Sequence, residues 1–225
     1  MKSHIKISVP NSPKINVIFA LTQSQVMGYD NKRVAGLLFI VATVQFVLAI
    51  VLSEAVYSGY SVGQQMVSEL GDWSLAGNNA AILNASMLLY GSLVIAGAYY
   101  IQRVFKNRLF ASLLAVNGIG SLVAGVVALN ISFEVHSMFG LIAFVTMVAA
   151  AIMSYKFVKS PLSYISVILG AVTLSAIVLF MLGQGNSDFY LGLGLGGMER
   201  FIIYPMALWL LGVGAYLIGD SSDKK

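Results

Sequence analysis

The stretch Val34–Ala55, VAGLLFIVATVQFVLAIVLSEA, follows the basic pair Lys32-Arg33 and contains no charged residue before Glu54. A helix needs about 20 predominantly apolar residues to cross the hydrocarbon core of a bilayer. A strand is excluded, because an open sheet edge would leave backbone groups without hydrogen bonds in lipid. The stretch therefore predicts a transmembrane helix.

Similar apolar stretches recur along the rest of the chain. They are Asn79–Ile101, Leu109–Leu129, Met138–Tyr155, Leu162–Leu182 and Met198–Ile218. The chain is 58% hydrophobic and only 10% charged, whereas soluble domains carry about 25% charged residues. The sequence predicts an all-α polytopic membrane protein with six transmembrane helices.

Basic residues fall almost entirely on one side of this topology. Twelve of the thirteen Lys and Arg residues precede span 1, follow span 6, or lie between spans 2 and 3 or spans 4 and 5. The exception is Arg200, at the start of span 6. Because basic loops stay in the cytoplasm, we expect a cell-membrane protein with both termini cytoplasmic and the first, third and fifth connections facing outward.

This topology divides the chain into three parts. Residues 1–33 form a cytoplasmic or membrane-surface tail, residues 34–218 the six-helix domain, and residues 219–225 a short cytoplasmic tail. A signal peptide is not expected at the N-terminus, because its apolar piece is short and no clear small-residue cleavage site follows it. Translation from Met27 instead of Met1 would also give a sensible protein.

Several classes of site are excluded or disfavoured by composition. The chain has no Cys, which removes disulfides, thiolate metal ligands and a Cys nucleophile. The net charge is +4. The basic residues lie in clusters next to apolar runs, a pattern that orients a membrane protein and is not typical of nucleic-acid binding. The run GLGLGG at 192–197 lacks the βαβ unit that a dinucleotide site needs, so we interpret it as a close turn into span 6. No cofactor is predicted.

Small and uncharged polar residues inside the spans indicate helix packing. Ser121 and Gly125 have the spacing of a close helix contact, either within the bundle or between subunits. Gln45 and Asn117 lie near mid-span, where such side chains usually bond a neighbouring helix. The expected partners are membrane lipids, with a second copy or another subunit of a membrane complex as further candidates.

Placing Arg200 at the start of span 6 costs free energy, because a guanidinium at the hydrocarbon boundary needs carboxylate partners or a water-filled cleft. Its neighbour Glu199 points about 100° away around the helix and cannot pair with it face to face. Acids in the outward loops are the expected partners, namely Glu69, Asp72, Glu134 and Asp188. Such pairing could form either an ion-pair network that locks the loops or a polar pocket.

The pocket interpretation assigns roles to named residues. Candidate ligand-binding residues are Arg200, Glu199, Glu69, Asp72, Asn84, Asn130, Glu134 and Tyr204. Candidate catalytic residues are His136, Ser68 and Asp72, because a serine, a histidine and an acid could meet there. His136 is also the one candidate metal ligand, although it would need carboxylates to complete a site.

The same residues resemble a known family. Six spans, Ser68–Asp72 (SELGD), Asn84 in span 2, His136 at span 4, and Gly196–Arg200 (GGMER) with Tyr204-Pro205 are similar to the largely archaeal Domain of Unknown Function 998 membrane family. The resemblance implies the six-span fold and no particular activity. More distantly, Ser68, Gly71 and His136 resemble the six-span damage-regulated autophagy modulator group, some relatives of which act in lipid-anchor remodelling.

Three functions follow as expectations. The first is binding of a lipid headgroup or small ligand, or service as an accessory subunit, through an outward-facing pocket around Arg200. The second is a membrane-embedded lipid hydrolase that uses His136 with Glu or Asp, with or without a metal. The third is a small-solute transporter, for which the few uncharged mid-span polar residues give little support. Whether the protein is an enzyme stays open at this point.

Overall fold

The computed structural model of the chain describes the backbone of residues 13–222 and the side chains of residues 31–220. The main helices are α1 (Pro13–Val56), α2 (Ala80–Phe105), α3 (Arg108–Val126), α4 (Phe133–Met153), α5 (Leu162–Gly183) and α6 (Gly194–Ser222). Short 3₁₀ turns lie at Ser68–Gly71, Gly77–Asn79, Ser154–Lys156 and Ser187–Tyr190.

Six helices within the described residues are long and apolar enough to cross a membrane. This confirms the prediction of an all-α, multi-pass membrane protein. Each helix packs on the next one in the chain, and α6 returns to α1, so the six helices close into a ring. Helix α5 is the most peripheral, since 28% of its apolar window is buried against 44% for α3 and α6.

The ring is tightest where glycines of two helices face each other. A Cβ on Gly91 would lie 2.5 Å from the carbonyl oxygen of Gly118, so α2 and α3 touch backbone to backbone. Gly36 on α1 meets Gly214 on α6 in the same way, at 2.6 Å. Gly125 packs on α2 beside Met87, which shows that the small-residue spacing of span 3 serves contacts within the bundle.

The mid-span polar residues join helices. Ser86 donates to Gln45 Oε1 at 2.8 Å, and Gln45 Nε2 donates back to the Ser86 carbonyl at 3.2 Å, linking α1 to α2. Asn117 Nδ2 donates to the Ala143 carbonyl at 3.0 Å and links α3 to α4. These bonds satisfy polar groups that lipid could not.

The two ends of the bundle differ in charge. At one end Asp220 pairs with Lys32 and with Lys159, the latter at 3.3 Å. These pairs bring the start of the apolar part of α1, the α4–α5 connection and the end of α6 together, and we call this the basic end. The opposite end carries Glu54, Glu69, Asp72, Glu134, Asp188, Glu199 and Arg200, and we call it the acidic end.

Helices α1 and α6 extend beyond the predicted spans. Helix α1 begins at Pro13, so residues 13–33 of the predicted N-terminal tail continue the first span as helix. Helix α6 runs through Ser222 and includes the first part of the predicted C-terminal tail. Residues 1–12 and 223–225, including part of each predicted tail, lie outside the described residues.

Candidate functional site

The loop between α1 and α2 crosses the start of α6 at the acidic end. The backbone amides of Gly196 and Gly197 both donate to the carbonyl of Gly63, at 2.9 and 3.2 Å. This contact satisfies two of the N–H groups that a helix start leaves without partners. A Cβ on Gly196 would lie 2.0 Å from the Gln65 carbonyl oxygen, so the glycine run permits the loop to approach, as the sequence predicts.

Arg200 is held by α1 and by this loop. Its Nη2 donates to Glu54 Oε1 at 2.5 Å and to the Tyr60 hydroxyl at 2.7 Å. Its Nη1 lies 2.8 Å from the carbonyl oxygens of Val62 and Gly196 and 3.3 Å from that of Gln65. The side chain is buried, and both terminal nitrogens are occupied by protein groups.

The partner of Arg200 differs from the four acids expected from the sequence. The observed partner, Glu54, lies in the last turn of α1. The expected partners lie in loops or at the start of α4, namely Glu69, Asp72, Glu134 and Asp188. The sequence did contain an indication of Glu54. A carboxylate at the end of an apolar span loses hydration on burial, as Arg200 does, and pairing offsets the desolvation cost of both groups.

Tyr60 completes the Arg200 cluster. Burial raises the pKa of the Tyr60 phenol to about 12, so the hydroxyl stays protonated at neutral pH. It can therefore donate to the carbonyls of Met66 and Gln65, which lie 2.8 and 3.1 Å away, while it accepts from Arg200. One tyrosine thus couples the guanidinium to the loop backbone.

Glu199 faces a different set of groups from Arg200, as expected for neighbours on a helix. Its Oε2 accepts from the backbone amide of Val67, and from that of Ser68 at 3.3 Å. The side chain is 8% exposed. A buried carboxylate is costly unless it is hydrogen-bonded, and here the loop backbone supplies two donors.

His136 lies in the first turn of α4 and caps the end of α3. Its Nδ1 is 3.0 Å from the Ala124 carbonyl oxygen and 2.9 Å from that of Val127. Carbonyl oxygens only accept, so these bonds assign the proton to Nδ1. The ring therefore satisfies carbonyls that the end of a helix leaves unpaired, and Nε2 remains for another partner.

The other predicted site residues mostly hold the loops in place. Asp72 Oδ1 accepts from Ser74 N and Ser74 Oγ, at 2.7 and 2.5 Å, and from Leu75 N at 3.2 Å, which fixes the turn after the first 3₁₀ segment. Asn84 Nδ2 donates to the Gly71 carbonyl at 2.8 Å. Asn130 Oδ1 accepts from the backbone amide of Trp73 at 3.1 Å.

The last three predicted residues are also placed at the acidic end. Glu134 Oε2 accepts from the Ser132 hydroxyl at the start of α4, at 3.2 Å. Glu69 is partly buried, and this burial raises the pKa of its carboxyl. Tyr204 is half-buried beside Arg200.

A cavity of about 590 Å³ lies inside the ring. Glu199 and His136 line it near the acidic end, and the polar groups of Tyr90, Asn117 and Ser121, which line it at mid-span, are hydrogen-bonded within the bundle. Its mid-membrane walls are mainly apolar and include Phe46, Leu83, Met87, Met147, Ile177 and Met206. Ser68, Ser137 and Gln184 also line it near the acidic end. Ligand sites have this character, with mostly apolar walls, a few polar groups and a volume of about 300–1,000 Å³.

The mouth of the cavity lies between α4 and α5. Near the basic end these helices are close, since a Cβ on Gly170 would lie 2.9 Å from Ile152 Cγ1. Toward the acidic end, exposed residues of both helices line the cavity instead, among them Leu141 at 38% and Met181 at 58% exposure. The two helices therefore diverge toward the acidic end, and the cavity opens sideways.

The structure brings together only part of the predicted site. His136, Glu199 and Ser68 line one cavity, whereas Arg200 is absent from its lining and is bonded to Glu54, Tyr60 and loop carbonyls. The sequence predicted an outward-facing pocket around Arg200, but not this cavity inside the ring or Gln184 in its lining, because no motif encodes the gap between α4 and α5.

The arrangement offers little for hydrolysis. Two backbone carbonyl oxygens, and not Asp72, orient Nδ1 of His136. The Asp72 carboxylate accepts hydrogen bonds within its own turn instead. Among residues 31–220, no group of three His, Asp or Glu side chains lies close enough together to hold a metal ion. His136 therefore has no ready set of fellow metal ligands in the described part of the chain.

Comparison with known proteins places the chain in a family without an assigned activity. No curated protein and no solved structure matches it. The model of the family described as Protein of unknown function (DUF998) matches residues 40–216, a range that contains the lining of the cavity and the Gly91–Gly118 contact of the ring. The chain belongs to the DUF998 family of proteins of unknown function.

Proposed function

We propose that this protein binds an amphiphilic lipid-like molecule in the cavity within the helix ring. The observation that carries the proposal is the distribution of the lining: apolar walls at mid-membrane depth and a polar end at His136 and Glu199. An amphiphile places its chain against the first and its headgroup at the second. Arg200 acts indirectly, because it binds the loop whose backbone amides donate to Glu199.

The route to the cavity is through its side. Leu141 and Met181 flank the opening and are exposed on the surface that lipid would cover. A lipid could then enter from the bilayer without its chain crossing water. The proposed setting is the cell membrane, with the basic end and both termini in the cytoplasm and the polar end of the cavity near the outer surface.

Two glycine positions offer a matched test. Gly140 lines the cavity and a Cβ there would meet no atom within 4 Å, so Gly140→Phe adds a ring at the cavity wall from an unobstructed backbone position. Gly219 on α6 is equally unobstructed but lies near the basic end, so Gly219→Phe is the control. Each protein is purified in mild detergent and its bound lipids are counted by native mass spectrometry.

We expect a bound lipid in the wild type and in Gly219→Phe, and its loss in Gly140→Phe with an unchanged melting temperature. Equal lipid occupancy in all three proteins would contradict the proposal. A wild-type protein that carries no lipid, and takes up none from added membrane lipid extract, would contradict it as well.

A further inference from the structure

The polar end of the cavity holds one carboxyl group, Glu199, one imidazole, His136, and three uncharged side chains that both donate and accept, Ser68, Ser137 and Gln184. Among the described residues, no Lys or Arg lines the cavity, and its one acidic side chain is Glu199. The sole basic residue of the acidic end, Arg200, directs its terminal nitrogens to Glu54, Tyr60 and carbonyl oxygens. An anionic headgroup would therefore meet a carboxylate and no cation.

His136 contributes an acceptor because of how it is anchored. Its Nδ1–H is shared between the carbonyl oxygens of Ala124 and Val127. In the neutral ring, a protonated Nδ1 leaves Nε2 as the acceptor. Nε2 has no hydrogen-bond partner within residues 31–220, and the ring lines the cavity.

Glu199 contributes further acceptors. A carboxyl group has two oxygens that can accept hydrogen bonds; the backbone amides of Val67 and Ser68 both approach Oε2, and the side chain lines the cavity. Lone pairs are therefore left for a ligand on the cavity side. Arg200 is adjacent in sequence but pairs with Glu54, so it does not occupy the Glu199 carboxylate.

We infer that the ligand of this cavity is an amphiphile whose headgroup donates hydrogen bonds, a hydroxyl or an amine, rather than a phosphate or carboxylate. The inference rests on the proposed function and names its ligand class. It differs from the sequence-based expectation in placing the headgroup at His136 and Glu199 instead of at Arg200. A hydroxyl or ammonium would donate to Nε2 of His136 and to Glu199, while its chain lies along the apolar walls.

A series of probes with one chain and different heads tests this directly. Dodecanol, dodecylamine, dodecanoate and dodecyl phosphate are each titrated, below their solubility limits or micellar concentrations, into the wild-type protein in lipid nanodiscs. Binding is read by displacement of a fluorescent long-chain alcohol. We expect the alcohol and the amine to bind at least about tenfold more tightly than the two anions, a difference of about 1.4 kcal/mol.

Variants of the acceptors separate the two donor heads. Glu199→Gln keeps a carbonyl oxygen for the Val67 and Ser68 amides and removes the charge, so the amine should lose affinity and the alcohol keep most of it. His136→Asn keeps a donor near the Nδ1 position, but its side chain is too short to bring the amide oxygen to the position of Nε2, so both heads should weaken. Asp188→Asn, at an exposed acid of the same end that does not line the cavity, is the control.

The outcomes distinguish this inference from the proposed function. Anions that bind as tightly as the alcohol and amine, or more tightly, would overturn the inference while cavity binding stands. Equal affinity of all four probes would also overturn it, since the head would then contribute nothing. If none of the probes displaces the reporter and the reporter itself does not bind, both proposals fall.

Discussion

At the scale of single residues, Glu199 and Arg200 are adjacent in sequence but bind different partners. Arg200 turns toward Glu54 and Tyr60, and Glu199 turns toward the amides of Val67 and Ser68. The sequence predicted that the two would not pair, because neighbours on a helix point about 100° apart. The position of Glu54 at the end of an apolar span made it one candidate partner, but the choice among the acids depends on how α1 and α6 cross.

Replacement of Arg200 should destabilise the fold. In Arg200→Met the carboxylate of Glu54 loses its cation, and the carbonyls of Val62 and Gly196 lose a donor. Removal of one partner from a buried ion pair costs about 3–5 kcal/mol. We expect a clear fall in the thermal unfolding temperature in detergent.

Two further proteins control this prediction. Arg108→Met removes an exposed base at the start of α3 and should change stability by less than about 0.5 kcal/mol. Adding Glu54→Gln to Arg200→Met removes the stranded charge and should recover part of the loss. An Arg200→Met protein as stable as the Arg108→Met protein would show that the cluster does not hold the fold.

At the scale of helices, the sequence identified the six elements but not the gap between two of them. All six spans were predicted because each needs an apolar stretch long enough for the bilayer. The separation of α4 and α5 could not be predicted, since it depends on Gly170 packing on Ile152 near the basic end and on the absence of such a contact near the acidic end. The cavity is a consequence of this divergence.

The lack of native cysteines makes the mouth of the cavity open to single-site labelling. Met181 and Leu182 are adjacent on α5 and exposed to similar extents, 58% and 48%, but only Met181 lines the cavity. A bulky maleimide on Met181→Cys should slow exchange of a fluorescent lipid by about tenfold or more, because it blocks the opening. The same label on Leu182→Cys should leave exchange near the wild-type rate.

Exchange kinetics before and after labelling, measured in nanodiscs, check this prediction. Equal rates for the two labelled proteins would place the entry elsewhere, for example at the acidic-end loops. Such a result would leave lipid binding itself intact.

At the scale of the whole molecule, the charge asymmetry predicts one orientation. The basic end carries Lys32 and Lys159, joined by Asp220, and the acidic end carries the cavity and its loops. Under the positive-inside rule the basic end faces the cytoplasm. The polar end of the cavity then lies near the outer surface, where it meets lipids of the outer leaflet.

Orientation can be measured with one cysteine at each end. Ser61→Cys lies in the exposed loop of the acidic end, and Lys156→Cys lies in the exposed α4–α5 connection. A membrane-impermeant maleimide added to intact cells should label the first and should reach the second only after permeabilisation. The reverse pattern would invert the topology and place the polar end of the cavity in the cytoplasm.

The central claim is that the ring of helices encloses a lipid site. An experimental density map of the protein in lipid nanodiscs tests it most directly. The account predicts elongated density inside the ring, with its polar end at His136 and Glu199 and its tail toward Met147 and Met206. A cavity that is collapsed, or that contains only ordered water, would contradict it.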